Sequence, residues 1–259
     1  MSKNDRPIAV IDSGVGGVSV LRYLMSALPN ENFIYLGDTA NAPYRSKTSE
    51  EVCALTLSNI EKLISKYSVK AVVIACNTAT GAAAAKCREA FADIPIIGIE
   101  PAIKPAVTDS EKKNPTVLVM ATPLTLSQDK FTLLSEKYNP NAKIVALPCP
   151  GLSDVIEKGA DEKEVDMLLE KLFTDIRRDE IDSIVLGCTH YPLIIDAISR
   201  RFPNAKIYDG GLGTALQTGR RLLGAGLLSM QETKGSLEII NSAGDPEFEE
   251  LANKYLNKE

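Results

Sequence analysis

The sequence predicts an α/β protein of two pseudo-symmetric lobes, each a mostly parallel sheet flanked by helices. Two observations lead to this fold class. Short runs rich in β-branched residues alternate with longer amphipathic or alanine-rich stretches, a pattern typical of parallel sheets covered by helices. Polar motifs that follow the strands also occur twice along the chain, in the same order. We therefore expect an internal duplication with one sheet in each half.

Each element is predicted from its length and its boundaries. The strand segments are short apolar runs, and most of the helical segments begin after Ser, Thr, Asp or Gly, which are common at helix N-termini. The predicted strands are Ile8 to Ile11, Phe33 to Leu36, Ala71 to Ala75, Ile96 to Ile99, Thr116 to Met120, Lys143 to Leu147, Ser183 to Leu186 and Lys206 to Tyr208. The predicted helices are Val18 to Ala27, Glu50 to Lys66, Gly81 to Phe91, Leu126 to Tyr138, Lys163 to Arg178 and Leu193 to Arg201.

The duplication is defined by three pairs of motifs at nearly constant separation. We place one lobe at residues 1–98 with 209–259 and the other at 99–208. Ligands of open α/β sheets bind outside the carboxyl ends of the strands, where all six motifs lie, so we expect the active site in a cleft between the lobes. Along the chain, Thr122 lies 109 residues after Ser13, Cys149 lies 111 after Asp38, and Cys188 lies 112 after Cys76.

Composition excludes several classes of protein. The 259 residues carry a net charge of −5 without a Lys/Arg-rich run, which argues against a nucleic-acid or anionic-membrane partner. No apolar run approaches the roughly 18 residues of a membrane span, and no signal-peptide pattern precedes the first strand. The five cysteines show neither CxxC nor metal-ligand spacing. We expect a cytoplasmic protein without metal or disulfides.

Two cysteines at strand ends are the strongest candidates for chemistry. Cys76 and Cys188 follow paired strands, and each precedes polar residues and a helix-like or turn-like segment. A thiolate and a thiol on opposite sides of a carbon atom can remove a proton from one face and return one to the other. His190, the sole histidine, lies two residues after Cys188 and can exchange a proton with it. The alternative is that each cysteine is a small buried apolar residue.

The segment DSGVGG after the first strand allows two interpretations besides a simple tight turn. A dinucleotide-binding turn of the GxGxxG type would need glycine at position 19, where this chain has Ser19, and Asp12 would repel a pyrophosphate. Asp12 suits a substrate ammonium group better. Asp38 could still imitate the ribose-binding acid of nicotinamide enzymes, so that alternative stays open.

Two loop-like segments and one helix supply further polar candidates. Tyr44 and Arg45 lie in APYR, and Thr122 and Thr125 lie in ATPLT. Glu157 falls in the helix-like stretch after LPCPG. Either loop can reach the predicted cleft, and either can be an ordinary turn.

The motifs IDSGVGG, YLGDTANAPY, ACNTAT, MATP and GCTHYPL resemble, in order and spacing, the glutamate racemase family of the aspartate/glutamate racemase superfamily. The resemblance covers essentially the whole chain. It implies a racemase independent of PLP and of other cofactors, with Cys76 and Cys188 acting on opposite faces of the α-carbon of glutamate. It also implies a cytoplasmic homodimer that supplies D-glutamate for bacterial peptidoglycan and thereby for the cell wall.

The same resemblance implies roles for individual residues. The family usually has glycine where this chain has Arg45, whose cationic side chain would replace a close backbone approach to the distal carboxylate. The implied catalytic residues are Cys76 and Cys188, supported by Asp12, Asp38, Glu157 and His190. The implied substrate-binding residues are Asp12, Ser13, Tyr44, Arg45, Asn77, Thr78, Thr122, Thr125, Thr189 and His190.

Three other functions are alternatives to the glutamate racemase hypothesis. An aspartate racemase is the nearest, because the cysteines define the reaction but not the length of the substrate side chain. A non-catalytic binding protein would keep the cleft but has no need of both cysteines, His190 and Asp12. A nicotinamide-dependent oxidoreductase predicts a tightly bound cofactor.

Overall fold

The structure is a computed structural model that describes residues 4–159 and 161–257. The chain forms two compact units, one of residues 1–100 with 211–259 and the other of residues 101–210. The strands are β1 (Ile8–Asp12), β2 (Phe33–Gly37), β3 (Ala71–Ile74), β4 (Ile96–Gly98), β5 (Thr116–Ala121), β6 (Lys143–Pro148), β7 (Ser183–Leu186), β8 (Lys206–Asp209) and β9 (Leu237–Asn241). The α-helices are α1 (Val18–Ala27), α2 (Ser49–Tyr67), α3 (Asn77–Ala90), α4 (Ile103–Thr108), α5 (Pro123–Leu126), α6 (Asp129–Tyr138), α7 (Leu152–Glu157), α8 (Glu162–Leu172), α9 (Ile195–Ser199), α10 (Gly211–Gly224) and α11 (Pro246–Leu256).

The first unit is built on a parallel sheet of order β4-β3-β1-β2-β9. Every residue of β1, β2 and β3 is buried, as expected for central parallel strands covered by helices. Helix α1 packs against α10 and α11, and α2 packs against α3. In register, Ile8 of β1 pairs with Phe33 of β2 and with Ala71 of β3, so the three strands end at the same edge of the sheet.

The second unit is built on a parallel sheet of order β6-β5-β7-β8. Its core includes Val117 and Val119 of β5, Val185 of β7, Ile103 of α4 and Phe131 of α6. The order repeats that of β2-β1-β3-β4 in the first unit, with β5 in the place of β1 and β7 in the place of β3. The repeated motifs of the sequence therefore follow equivalent strands of two equivalent sheets.

The predicted α/β class with two mostly parallel sheets is confirmed, and every predicted strand occurs with each end within one residue of the prediction. Strand β9 was not predicted. It lies at the sheet edge, where it pairs with β2 alone, and its second residue, Glu238, is exposed. With Glu238 inside it, this strand lacks the continuous apolar run of its buried neighbours.

Four predicted helices differ from those observed. The helix predicted to begin at Gly81 begins at Asn77, because Cys76 caps it. The stretch Leu126 to Tyr138 contains the last residue of α5 and the whole of α6, with a break between them. The stretch Lys163 to Arg178 is helical only to Leu172. The stretch Leu193 to Arg201 lies partly in the 3-10 turn Tyr191–Ile194, which precedes α9. The helix-like stretch predicted after LPCPG is α7, whereas helices α4, α10 and α11 were not predicted.

Helix α2 shows how local sequence defines an element. Thr48 accepts a hydrogen bond from the backbone N–H of Glu51, and the Glu51 carboxylate accepts one from the N–H of Thr48. This capping box satisfies two N–H groups that would otherwise lack partners at the helix start. The helix ends at Ser68, which adopts a left-handed backbone conformation with φ of 52°. Among the described residues, no helix has the length and apolarity of a membrane-spanning segment.

Candidate active site

In the first unit, three candidate residues follow neighbouring strands at one edge of the sheet. Asp12 is the last residue of β1, Asp38 comes directly after β2, and Cys76 lies two residues after β3. Because β1 pairs with both β2 and β3 in parallel, these side chains occupy the carboxyl edge, where open α/β sheets bind ligands.

Cys76 caps the N-terminus of helix α3. Its sulfur accepts a hydrogen bond from the backbone N–H of Ala79 at 3.4 Å, and the Ser13 hydroxyl lies 3.9 Å from it. The side chain is 6% exposed. The N–H groups and the dipole at the start of a helix favour negative charge, so this position stabilises a thiolate.

The Asp12 carboxylate is held by the turn that follows β1. Its Oδ1 accepts hydrogen bonds from the Ser13 N–H at 2.6 Å and from the Ser13 hydroxyl at 3.1 Å. The Tyr35 hydroxyl donates to the Gly14 carbonyl at 2.6 Å and fixes the turn. A Cβ on Gly17 would lie 2.6 Å from the Asp12 Cβ and 2.8 Å from the Tyr35 hydroxyl. The turn therefore requires glycine at position 17 to leave Asp12 in place.

Asn77 and Thr78 lie in the first turn of α3, and both are buried. The Oδ1 and Nδ2 atoms of Asn77 have no hydrogen-bond partner within the described parts of the chain. Buried polar atoms are nearly always hydrogen-bonded, since leaving one unpaired costs about 1–3 kcal/mol. The Asn77 amide is thus available to a bound polar ligand.

Asp38 and Tyr44 form the centre of a buried polar network. The Tyr44 hydroxyl donates to Asp38 Oδ2 at 2.6 Å, and Asn41 Nδ2 donates to both carboxylate oxygens, at 3.0 and 3.2 Å. Burial raises the pKa of Asp38, but hydrogen bonds from Ser242, Tyr44, Asn41 and Asn59 together outweigh it and lower the pKa below its usual value. Asp38 is therefore ionised at neutral pH.

Burial and the Asp38 carboxylate raise the pKa of Tyr44 far above its ordinary value, so its hydroxyl keeps its proton. Arg45, the next residue, is half-buried. Both residues belong to the 3-10 turn Tyr44–Ser46.

In the second unit, the equivalent edge carries the other candidates. Thr122 follows β5, Cys149 follows β6, and Cys188 lies two residues after β7. A Cβ on Gly187 would lie 3.0 Å from both the Ala121 Cβ and the Met120 carbonyl oxygen. Glycine at 187 thus allows the segment that carries Cys188 to approach β5 closely.

Cys188, His190 and Glu157 form a chain of polar contacts. The Cys188 sulfur lies 3.7 Å from His190 Nδ1, and His190 Nε2 lies 2.5 Å from Glu157 Oε2. Burial alone would lower the pKa of His190, but the hydrogen bonds and negative charges of Cys188 and Glu157 outweigh it and raise the pKa well above 6.5. A protonated His190 donates from both ring nitrogens, and its charge stabilises a negative charge on the Cys188 sulfur.

Two threonines and Thr189 complete this edge. The Thr122 hydroxyl accepts from the Thr125 N–H at 3.2 Å and lies 2.9 Å from the Thr125 hydroxyl. Thr122, Thr125 and Thr189 are all buried.

The remaining cysteines have other environments. Burial, with the nearby Cys188, raises the pKa of Cys149 to about 12, and burial raises the pKa of Cys87 to about 11. Cys53 and Cys87 lie inside α2 and α3, where they are buried. Each cysteine is a thiol rather than half of a disulfide. Within residues 4–159 and 161–257, no cluster of three or more His, Cys, Asp or Glu side chains is arranged to bind a metal ion.

The predicted site residues thus fall into two groups, each at the carboxyl edge of one sheet. Sequence reasoning missed Tyr35, Asn41, Asn59 and Ser242, which hold these groups in place. Tyr35 and Asn41 lie inside the quoted motif YLGDTANAPY, which gives no sign of their hydrogen bonds to Gly14 and Asp38. Asn59 and Ser242 lie outside every quoted motif and reach Tyr44 and Asp38 from other segments of the chain. The first unit carries Asp12, Ser13, Asp38, Tyr44, Arg45, Cys76, Asn77 and Thr78, and the second carries Thr122, Thr125, Glu157, Cys188, Thr189 and His190.

This fold is shared with known proteins of similar sequence. Residues 8–216 match the family model described as Asp/Glu/hydantoin racemase. The chain therefore belongs to the Asp/Glu/hydantoin racemase family.

Individual relatives narrow the class. A glutamate racemase of Clostridium acetobutylicum is 46% identical over 258 residues, which cover 99% of this chain and 100% of the relative. One of Clostridium novyi is 49% identical over 253 residues, 96% of each chain. The crystal structure of the Francisella tularensis glutamate racemase in complex with D-glutamate has a TM-score of 0.84 at 31% identity, covering 99% of this chain and 95% of that one. The predicted membership of the glutamate racemase family is confirmed, and the chain is an amino-acid racemase, an isomerase.

Proposed function

We propose that this racemase interconverts L- and D-glutamate without a cofactor, moving the α-proton between Cys76 and Cys188. The observation that carries the proposal is the equivalent position of the two thiols. Cys76 lies two residues after β3 and Cys188 two residues after β7, and these strands hold the same place in sheets of the same order. Glutamate as the substrate rests on the relatives, which are named glutamate racemases, and on the Francisella tularensis enzyme with its bound D-glutamate.

The proposed reaction needs one base and one acid at the α-carbon. A thiolate on one face takes the α-proton and becomes a thiol, while the electron pair of the C–H bond stays on the α-carbon. The thiol on the other face then gives its proton to that carbon and becomes a thiolate. Each turnover inverts the configuration and exchanges the protonation states of the two cysteines. In this proposal each unit supplies one of the two thiols.

Residues of the first unit suit the α-amino and α-carboxylate groups. The Asp12 carboxylate, held by Ser13, would pair with the substrate ammonium. The buried Asn77 amide and Thr78, at the start of α3, would bind the α-carboxylate. Binding there gives the Asn77 amide the hydrogen bonds that it otherwise lacks.

Residues of the second unit are suited to stabilise the thiolate form of Cys188. His190, protonated and held by Glu157, would stabilise the Cys188 thiolate after it has given up its proton. The Thr189, Thr122 and Thr125 hydroxyls would line the pocket on this side. These side chains bring hydrogen bonds and a positive charge to one of the two reacting thiols.

The distal carboxylate of glutamate would be covered by the turn that carries Tyr44 and Arg45. Because the Tyr44 hydroxyl already donates to Asp38, Tyr44 would act by holding the turn in position. The Arg45 guanidinium would supply a positive charge for the distal carboxylate. Asp38 supports the site through Tyr44.

In the cell, we propose that the enzyme acts in the cytoplasm as a homodimer and supplies D-glutamate for peptidoglycan. The cytoplasmic location agrees with five cysteine thiols that form no disulfide.

The proposal is tested by following the circular dichroism of L-glutamate with purified protein and no added cofactor. We expect the signal to decay to zero as the racemic mixture forms, whereas L-aspartate keeps its signal. Cys76→Ser and Cys188→Ser should each abolish the decay, because a serine hydroxyl is far too weak an acid to replace a thiol in proton transfer. Cys53→Ser, a buried cysteine of helix α2, is the matched control and should retain activity.

Two outcomes would contradict the proposal. An unchanged L-glutamate signal with the folded wild-type protein would refute the substrate. Undiminished decay in either the Cys76 or the Cys188 variant would refute the two-thiol mechanism.

A further inference from the structure

We propose that Ser242, in the turn after strand β9, is a positioning residue that holds the Tyr44–Arg45 turn in its substrate-binding place through Asp38. This inference rests on the proposed function of that turn in covering the distal carboxylate of glutamate. It assigns a role in the reaction to the C-terminal segment of the chain, 204 residues away from Asp38 in sequence.

The first step is the contact of Ser242 itself. Its hydroxyl donates to Asp38 Oδ1 at 2.6 Å and accepts from the backbone N–H of Ala40 at 2.9 Å. One hydroxyl therefore holds both the carboxylate and the backbone of the 3-10 turn Thr39–Asn41. Hydrogen bonds to an ionised carboxylate are about twice as strong as those between neutral groups, so this is the stronger of the two contacts.

The second step is the path from Asp38 to the turn. The other carboxylate oxygen, Oδ2, accepts the Tyr44 hydroxyl proton at 2.6 Å, and Asn59 Nδ2 lies 3.5 Å from that hydroxyl. Ser242 and Tyr44 thus donate hydrogen bonds to different oxygens of the same Asp38 carboxylate. A rotation of the Asp38 side chain after loss of Ser242 would move the anchor of Tyr44.

The third step is the rigidity of the turn that carries Ser242. The Ser242 N–H donates to the Gly37 carbonyl at 3.0 Å, which extends the pairing of β9 with β2. Asn241 and Asp245 bond each other twice, from the Asp245 N–H to Asn241 Oδ1 at 2.8 Å and from Asn241 Nδ2 to the Asp245 carbonyl at 2.9 Å. A hydroxyl on so well fixed a turn can hold a partner in one position.

A second contact ties the same two segments together. The Thr39 hydroxyl donates to Asn241 Oδ1 at 3.2 Å and accepts from the Ala243 N–H at 3.3 Å. The segment from Asn241 to Asp245 therefore bonds both Ala40 and Thr39 of the turn. Within these contacts, Ser242 is the residue that also bonds the Asp38 carboxylate. The Thr39 contacts do not involve the Ser242 hydroxyl, so they can hold the two segments together when that hydroxyl is removed.

Asp38 in this arrangement is a positioning residue as well. Burial raises its pKa, but its four hydrogen-bonding neighbours together lower it below the usual value, so the carboxylate stays ionised. A carboxylate whose oxygens accept from Ser242, Tyr44 and Asn41 has no proton to give at neutral pH. Its contribution to racemisation then passes through Tyr44.

The test compares Ser242→Ala with the wild-type enzyme in steady-state racemisation of L-glutamate. We expect KM to rise about tenfold, the effect of losing about 1.4 kcal/mol of binding, with kcat within twofold of the wild type. Ser242→Thr keeps the hydroxyl and should restore KM. Ser236→Ala is the matched control, because Ser236 lies at the other end of β9 and its hydroxyl bonds Asn32 at 3.0 Å, away from Asp38.

A double variant isolates the path through Tyr44. Tyr44→Phe removes the hydroxyl that Asp38 holds, so adding Ser242→Ala to it should raise KM by much less than Ser242→Ala does alone. Equal increases in the two backgrounds would overturn the proposed path. An unchanged KM in Ser242→Ala, or a raised KM that Ser242→Thr fails to restore, would overturn the role of Ser242. Both results are distinct from failure of the proposed function, in which the wild-type protein would not racemise glutamate.

Discussion

Gly17 lies where the turn after β1 passes against the Asp12 side chain. A Cβ at this position would be 2.6 Å from the Asp12 Cβ and 2.8 Å from both Asp12 Oδ2 and the Tyr35 hydroxyl. Both neighbours are buried, and Tyr35 also bonds Gly14, so neither can move without cost. We expect Gly17→Ala to destabilise the protein by about 1–3 kcal/mol in urea unfolding, as overpacking does, and to lower racemase activity.

Gly213→Ala is the control for this substitution. Gly213 lies in helix α10, and a Cβ there meets nothing within 4 Å. Alanine should therefore leave the stability unchanged or raise it by up to about 1 kcal/mol. Equal stabilities of the two variants would show that Gly17 is not required by contact with Asp12.

His190 gives a direct reading of the environment of Cys188. As the sole histidine, it gives the only imidazole Cε1–H resonance in the proton NMR spectrum. We expect that signal to titrate well above pH 6.5, because hydrogen bonds and charges of Cys188 and Glu157 outweigh burial. In Glu157→Gln and in Cys188→Ser the midpoint should fall, since each variant removes a side chain whose interactions with the ring raise the pKa of His190. A midpoint near 6.5 in the wild type would contradict the proposed contacts of His190 with Cys188 and Glu157.

The sign of the accompanying stability change follows from the same shift. A pKa raised by folding means that the protonated ring stabilises the folded state. This contribution is complete below the unfolded-state pKa of about 6.5 and is lost as the pH rises through the folded-state pKa.

The sequence allowed the prediction of those residues that lie at the end of a predicted strand or within two residues of it. Cys76, Cys188 and Asp12 stand beside apolar runs whose ends define the carboxyl edge of a parallel sheet, so their placement follows from the strands alone. Ser242 and Tyr35 had no such signal. The partner of Ser242 lies 204 residues away, and which hydroxyl meets which acceptor depends on the packing of the whole unit.

At the scale of elements, the chain after Gly211 completes the first sheet. Strand β9 adds to β2, and Phe248 of α11 packs on that strand with its ring 6.4 Å from the Tyr35 ring, nearly parallel to it. A Cβ on Gly37 would lie 2.3 Å from the Phe248 ring. Glycine in β2 therefore allows α11 to pack directly on the sheet.

Phe248→Ala tests the importance of this packing. The ring is 4% exposed, so its removal should leave a cavity and destabilise the protein by about 3–5 kcal/mol in urea unfolding. Phe248→Leu keeps most of the volume and should cost less. Wild-type stability of the alanine variant would mean that α11 does not depend on this ring.

Among the edge strands, β6 and β8 were predicted although they are only partly buried, and β9 was missed. Buried strands such as β1 and β7 were predicted from their continuous apolar runs, whereas the edge strand β9, with exposed Glu238, was not. Helix α3 was predicted to start late because its start depends on the Cys76 sulfur as a cap, and sulfur is not among the usual N-cap groups. The pattern of apolar and polar residues along the chain does not reveal a cap of this kind.

At the scale of the whole molecule, the duplication is the feature from which the proposed mechanism follows. The sequence predicted it from motif spacing, and the two sheets show the same strand order around β1 and around β5. A single-thiol mechanism would use one of the two equivalent positions. The proposed two-thiol mechanism uses both, and it makes a distinct prediction for the fate of the α-proton.

The most direct test follows the α-hydrogen during racemisation of L-glutamate in D₂O. Early in the reaction, the two enantiomers are separated and their deuterium content is measured by mass spectrometry. If different thiols remove and deliver the proton, D-glutamate carries deuterium from the first turnovers while the remaining L-glutamate keeps its protium. Deuterium appearing equally fast in the remaining L-glutamate, or protium retained in the D-glutamate formed, would contradict the two-thiol mechanism.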